Sequence, residues 1–362
     1  MQKINKPTIL IAPLDWGLGH VTRCIPIIRT LKNLNYDVIV AVCEKQKKVL
    51  TQEFTELKFI ELSGYGINYA KNKHLFALKI FFQIPKILHC IKKEHNWLKN
   101  IVVTHNIALV ISDNRYGLYH NIIPSIFITH QLTIKAPIIW IENLLQKINY
   151  RFINKFTQCW IPDIKGENNI AGLLSRPSLK PQIPIHYIGV LSRFAKPLPT
   201  GNIYDVCILL SGPEPQRTVL ENILFKQLKN QTALKILFIR GLPLANKNIE
   251  VNGLEIKNHL LGKYLQIAIC NSNIIVARSG YTTVMELLSL QKKSILIPTP
   301  AQTEQEYLAT YLHKQSKCLS FTQSKINIIE AVKMANKFEF NLPNNLTFKD
   351  DIIIELVCKL IG

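Results

Sequence analysis

Short runs of β-branched and aliphatic residues alternate with longer stretches of helical periodicity from the eighth residue onward. Thr8–Pro13 (TILIAP), Asp37–Cys43 (DVIVAVC), Leu57–Leu62 (LKFIEL), Ile107–Ser112 (IALVIS) and Pro124–Thr129 (PSIFIT) read as strands apolar on both faces, with amphipathic segments between most of them. A strand with one wet face would alternate instead, so these runs predict a parallel sheet covered by helices on both sides. Between residues 162 and 199 the pattern gives way to Pro, Lys, Ser and Gly. It then resumes with Tyr204–Leu210, Ala233–Arg240, Gly253–Lys257, Asn273–Ala277 and Lys293–Pro298, and ends on a helical segment, Asp350–Ile361. A length of 362 residues suits two domains. No repeat of about 20 to 50 residues is present, which excludes a solenoid. The expectation is an α/β protein of two Rossmann-like, doubly wound domains facing a cleft. The first spans residues 1–165, a linker 166–200, the second domain 201–345 and a C-terminal helix 346–362.

In sheets of this kind, ligands sit beyond the carboxyl ends of the strands, so the loops there are where chemistry is expected. The first is Leu14-Asp15-Trp16-Gly17-Leu18-Gly19-His20-Val21-Thr22-Arg23. A nicotinamide dinucleotide site wants glycine where Thr22 stands, which argues against an oxidoreductase. Gly17 and Gly19 permit a tight turn into a helix, His20 opens that helix and Arg23 follows one turn on. An imidazole there is either a general base for a hydroxyl or a packed, helix-capping residue. A second polar group, Ser112-Asp113-Asn114-Arg115, ends another apolar strand. Asp113 either orients His20, as an Asp orients His in a catalytic triad, or caps a following helix.

Three loops of the second half carry polar groups. Ser211-Gly212-Pro213-Glu214-Pro215-Gln216-Arg217 turns into a helix whose amides suit an anion, with Arg217 at hand for a diphosphate. Arg278-Ser279-Gly280-Tyr281-Thr282 starts another helix, with Ser279, Gly280 and Thr282 offering amides and hydroxyls to phosphate and Glu286 placed to accept both hydroxyls of a ribose. Pro298 to Glu306 brings Gln302, Gln305 and Glu306 together as acceptors for sugar hydroxyls.

At these loops the chain resembles family 28 glycosyltransferases, among them the peptidoglycan transferases that move N-acetylglucosamine from UDP to a lipid-linked muramoyl peptide. The segment SNIIVARSGYTTVMELLSLQKKSILIPTPAQTEQEYLA is similar to their C-terminal half, GLGH to their first Gly-rich loop and SGPEPQRT to their second. The likeness covers about residues 205–315 in several motifs and is thin in the first half beyond its loop. It implies a GT-B fold, a UDP-sugar donor held by the second domain and inversion at the anomeric carbon without a metal or other cofactor. It also implies Glu286 at the ribose, Ser211, Gly212, Ser279, Gly280 and Tyr281 along the diphosphate, His259 to Leu261 near the uracil, and Gln305 with Glu306 near the sugar. The second loop holds less glycine than the family's, and Gln305-Glu306 stand where the family has paired glutamines. No Asp-x-Asp occurs in the chain, so leaving-group charge falls to helix N-termini and Arg. The Gly17 to Arg23 pattern also resembles the loop of the UDP-sugar hydrolases of pseudaminic acid synthesis, in which water replaces the acceptor. A non-catalytic sugar-nucleotide-binding protein is a third reading.

Charge narrows the choice of partner. Lys and Arg number 44 against 24 Asp and Glu, a net +20, which suits nucleic acid, an anionic membrane or a phosphorylated substrate, or else the Lys-, Ile- and Asn-rich composition of AT-rich coding sequence. Residues 1–190 hold 24 of those basic and 11 of the acidic residues, which points to the first half. There Lys71 to Lys93 carries six Lys and no acid, interleaved with Phe76, Phe81, Phe82, Ile84, Ile87, Leu88 and Ile91, with Pro85 expected to kink the helix or start another. Such a segment is either a helix lying on an anionic membrane or an ordinary core-facing helix with solvated lysines. Residues 134 to 156, with Trp140 and Tyr150, are a second candidate. No nucleic-acid motif is present. Eight scattered cysteines without a C-x-x-C pair, no Cys/His cluster and no signal-peptide pattern lead to the expectation of a cytoplasmic protein, peripheral on the inner membrane face, without a metal. The partners expected are a nucleotide-sugar donor and a lipid or glycan acceptor.

Overall fold

Seven short parallel strands form the sheet of the first unit: β1 (Thr8–Pro13), β2 (Asp37–Val42), β3 (Lys58–Glu61), β4 (Ile107–Asp113), β5 (Ser125–Ile128), β6 (Gln158–Ile161) and β7 (Ile185–Tyr187), in the spatial order 3-2-1-4-5-6-7. Helices α1 (Leu18–Asn33), α2 (Glu44–Leu50), α3 (Lys73–Thr104) and α4 (Ile139–Ile153) cover it. The computed structural model describes residues 6–66, 73–135, 139–194, 197–198, 201–245, 249–344 and 346–362, with residues 73–82 as helix backbone. The runs of β1, β2, β4 and β5 are buried as expected, Ile9 to Ala12 and Leu109 to Ile111 without exposure, whereas the edge strand β3 leaves Lys58 and Glu61 exposed. Pro13 pairs with Asp113 at the carboxyl ends of β1 and β4, the neighbours between which the strand order reverses. Such a reversal opens a crevice beyond the strand ends.

In the second unit the strands are β8 (Tyr204–Leu209), β9 (Ile236–Ile239), β10 (Leu254–Lys257), β11 (Ser272–Ala277), β12 (Lys293–Leu296) and β13 (Leu319–Ser320), parallel throughout in the order 10-9-8-11-12-13. Around them lie α5 (Gln216–Leu228), α6 (Gly262–Cys270), α7 (Tyr281–Ser289), α8 (Thr303–Lys314) and α9 (Ile328–Lys337). Its core joins Val206, Ile208, Phe238, Ile274, Val276 and Ile295 of the sheet to Leu220, Leu224 and Val332 of α5 and α9. The reversal here lies between β8 and β11, where Leu209 pairs with Ala277.

Three expectations change. Residues 166–200, linker-like in composition, contribute β7 to the first sheet, and fully buried Asp163 just ahead of them binds the segment down. Its carboxylate accepts from the amides of Ile164, Ile170 and Ala171 and from Ser175 Oγ at 2.7–3.1 Å. The last helix, α10 (Asp351–Ile361), buries Ile353, Leu356 and Val357 and packs on α1 and β4, so it completes the first unit. Pro85 neither ends nor divides α3, which runs 32 residues. Ile91 and Leu98 hold its C-terminal half against the core, and that packing outweighs one missing hydrogen bond.

Candidate active site

Beyond β1 the chain turns through Leu14, whose amide donates to Asp113 O at 3.0 Å, and reaches α1 by way of Gly17 at φ +89°. A Cβ at Gly17 would meet nothing within 4 Å, so the left-handed backbone, and not space, calls for glycine. The turn leans on the segment after β3. Asp15 Oδ1 accepts from the Tyr65 amide at 3.3 Å, and a Cβ on Gly64 would run into that carboxylate. His20, in the first turn of α1, is thereby set beside Asp113, with Nδ1 3.0 Å from Asp113 Oδ2. No helix follows β4, so Asp113 is no cap.

Asp113 is fully buried, Arg23 is 1% exposed and the His20 side chain is 15% exposed. Arg23 Nε donates to both Asp113 oxygens at 3.0 and 3.1 Å, and its NH2 donates to Oδ1 as well. That NH2 also lies 3.0 Å from His20 Nδ1, while NH1 lies 3.2 Å from Nδ1 of His130, a buried residue just past β5. Burial alone would raise the Asp113 carboxyl, but the charges of Arg23 and His20 outweigh it and hold it at about 2. Burial and then Arg23 push the His20 imidazole below its ordinary range against the pull of Asp113. The ring is therefore neutral near pH 7, the form a base requires.

Two further residues brace this end of the sheet. Arg115, fully buried, donates to Pro13 O at 2.9 Å, Ser63 O at 3.2 Å and Glu94 Oε1 at 2.6 Å. Glu94, on α3, also accepts from Tyr65 Oη at 2.8 Å and the Gly117 amide at 3.3 Å. The Pro13, Ser63 and Gly117 turns are thus tied to one buried ion pair.

In the second unit, Ser211 and Gly212 follow β8, and Arg278, Ser279 and Gly280 follow β11. The N-cap of α7, Gly280, carries no side-chain cap, whereas in the first turn of α5 the Thr218 amide donates to Glu214 Oε2 at 3.2 Å. Arg217 does not offer its charge to a ligand. It pairs with Glu214 at 2.6 Å and Glu221 at 2.5 Å and donates to Arg240 O and Thr218 Oγ1. Arg278 is a second buried cation of these loops, and it stands just ahead of Ser279. It is 1% exposed, and its partners are Ile297 O, Pro298 O, Gln216 O and Gln323 Oε1, at 2.6–3.2 Å. No described carboxylate pairs with it, and burial pulls it down to about 10. Through Gln216 O it touches the first residue of α5, and in sequence it immediately precedes the Ser279-Gly280 start of α7.

Tyr281, Thr282 and Glu286 are buried on α7. Ser279 Oγ donates to Gln305 O at 2.8 Å. Gln305 Oε1 accepts from the Thr299 amide, its Nε2 donates to Gln302 Oε1, and Glu306 accepts from the amide of Ala301, which stands at φ +68°. The glutamines and Glu306 therefore shape the loop before α8 with much of their hydrogen-bonding capacity. His259 and Leu260 lie between β10 and α6, with Leu261 as the N-cap of α6. Asn258 anchors them to Arg240 NH1 at 2.9 Å. Among the described residues no group of three or more His, Cys, Asp or Glu could hold a metal.

Two parallel, doubly wound units, each with its functional loops at the reversal of strand order, define a GT-B fold, and comparison with known proteins agrees. Residues 216–349 match the glycosyltransferase family 28 C-terminal domain. Over 288 residues, 77% of this chain and 75% of its relative, the sequence is 23% identical to the UDP-N-acetylglucosamine--N-acetylmuramyl-(pentapeptide) pyrophosphoryl-undecaprenol N-acetylglucosamine transferase of Clostridium tetani. Among solved structures it is similar to MurG of Acinetobacter baumannii, with TM-score 0.52 and 14% identity over 98% of this chain and 99% of that one. It is similar also to Arabidopsis thaliana UGT89C1 complexed with UDP-L-rhamnose, with TM-score 0.63 and 11% identity over 99% and 100%. The chain is a family 28-like glycosyltransferase of GT-B fold.

Proposed function

We propose that the protein transfers a hexose or N-acetylhexosamine from UDP to a hydroxyl of a lipid-linked or glycan acceptor at a membrane surface, with inversion and without a metal. The observation that carries the reading is His20 on Asp113 at the strand-order reversal of the first sheet, in a chain whose second unit is a family 28 domain. In the proposed step, His20 Nε2 takes the acceptor hydroxyl's proton as that oxygen attacks the anomeric carbon, and the bond to the diphosphate breaks. The departing charge meets the first turn of α7, equivalent to about half a positive charge, together with Arg278 behind it. Glu286 binds the ribose and His259 to Leu261 the uracil. Gln305 and Glu306, fixed through their loop, face the sugar.

Support for the membrane surface comes from α4. Trp140, Leu144 and Ile148 recur every four residues and are 66%, 49% and 45% exposed, beside exposed Lys147 and Arg151. An inward stripe would be the ordinary core signal, whereas this one points outward. On α3, Ile84 and Leu88 are also exposed, while Ile87 and Cys90 of α3 and Phe152 of α4 pack on the cluster of Leu14, Tyr65 and Ile91. Lys71, and the side chains of residues 73–82, lie outside the described residues. No described helix is long and apolar enough to cross a membrane.

Incubation with UDP-, GDP- and TDP-sugars, with and without membrane lipid, tests the reading. The expected result is UDP release that depends on an acceptor, a product of inverted anomeric configuration and loss of rate in H20A. Free sugar released at a rate that no acceptor improves would instead mark a hydrolase, the class whose loop the Gly17 to Arg23 pattern also resembles.

A further inference from the structure

Arg23 enters the His20–Asp113 pair more deeply than an orienting carboxylate requires. A guanidinium donates only, and it stays charged at any pH of interest. Toward His130 Nδ1, 3.2 Å away, Arg23 NH1 can only donate, so that ring carries its proton on Nε2. His20 Nδ1 is in a different position, with a donor-only NH2 and an acceptor-only Asp113 Oδ2 both at 3.0 Å. A single hydrogen decides between them. Asp113 Oδ1 takes one of the two NH2 hydrogens, so NH2 is partnered without the ring. A bare Nδ1 would set its lone pair against the fully buried carboxylate. The hydrogen therefore lies on Nδ1, and Nε2 is bare.

We propose that Arg23 is a positioning residue that sets both the tautomer and the charge of His20. Its clamp turns Asp113 Oδ2 toward Nδ1, and its guanidinium, within hydrogen-bond distance of the ring, opposes a second proton there. Four groups face the imidazole or its partner. Arg23 and Cys24 come from α1, Asp113 from β4 and His130 from the segment after β5. Burial keeps Cys24 a thiol, and His130 accepts from Arg23. One fixed cation and one anion remain, so the resting ring meets a pair without net charge and waits as a neutral base. The catalytic consequence rests on the reading of His20 as the base; the state of the ring does not.

Histidine-selective 15N NMR of the full chain tests this in the wild type, R23K and R23M. At pH 7 the wild type is expected to show His20 neutral with its proton on Nδ1, and His130 with Nδ1 accepting from Arg23. His20 is expected to titrate below the roughly 6.5 of a free imidazole. R23M should raise that midpoint by about one pH unit or more, a tenfold change in protonated population, with R23K closer to the wild type. Loss of packing alone would not produce an upward shift that a retained charge restores. A charged or Nε2-protonated His20 at pH 7, or an unmoved midpoint in folded R23M, overturns the proposal. If R23M does not fold, the wild-type tautomers and R23K decide. Failure of the donor reading would show instead as absent UDP release with the ring states as stated.

Discussion

Asp113→Asn removes one negative charge and almost no volume, and its cost can be worked from the site. Arg23 and His20 hold the carboxyl at about 2 in the folded protein against the ordinary 3.8 of an aspartate. That depression is equivalent to about 2 kcal/mol of folding stability near neutrality. The substitution also leaves Arg23, 1% exposed, without its counter-charge, and removal of one partner of a buried pair typically costs about 3–5 kcal/mol. The two figures describe the same interaction from either side, so a loss of about 3 kcal/mol at pH 7 is expected. The sign with pH follows from the lowered folded-state value. Between about pH 4 and pH 2 the unfolded chain takes up the proton first, so the wild type loses this stability as pH falls, while the variant, which cannot ionise, does not. Urea denaturation of both proteins at pH steps from 7 to 3 is the assay. The gap between them should be widest near neutrality and narrow below about pH 4. In the folded variant, transfer should slow by about 10²- to 10⁴-fold, the usual worth of a correctly held general base. A variant within 0.5 kcal/mol or so of the wild type at pH 7, or a gap that ignores pH, would refute the ion-pair account.

Three further outcomes are expected. Trp140→Glu and Leu144→Glu together should abolish sedimentation with anionic vesicles and leave the melting temperature unchanged, since both side chains face outward. Arg278→Met should weaken UDP binding by about tenfold or more in calorimetry, one diphosphate interaction lost at about 1.4 kcal/mol, and change uridine binding much less; equal losses would make Arg278 a structural staple only. Gly17→Ala should cost about 1 kcal/mol or more in thermal or chemical unfolding, because φ +89° disfavours a Cβ, and should lower turnover by shifting the start of α1.

The order of strands and helices was legible because buried parallel strands leave continuous apolar runs: Thr8–Pro13 coincides with β1, and Ile107–Ser112 stops one residue short of the end of β4. Ile185–Tyr187 and Leu319–Ser320 were not, because two or three residues are too short for periodicity to register. The linker-like composition of 166–200 concealed an ordered segment held by one buried carboxylate, a long-range device that local composition does not encode. At the site, His20 and Asp113 were placed by their positions after apolar strands, and the structure sets them 3.0 Å apart. His130 and Arg115 act through partners about 20 to more than 100 positions away and left no local signal. Arg217 did leave one: Glu214 and Glu221 stand three residues before and four after it, the spacing at which helix neighbours pair, so its engagement could have been foreseen.

The packing of α10 on α1 and β4 gives the first unit an order of assembly. The element that packs on the His20 helix and the Asp113 strand is made after the whole second sheet, so a ribosome releases the second unit able to fold before the first has its last wall. During synthesis, then, the first unit waits with an apolar face uncovered. A fragment ending at Arg193 would inherit that defect permanently, and a lesion in the last dozen residues would act at the site farthest from it in sequence.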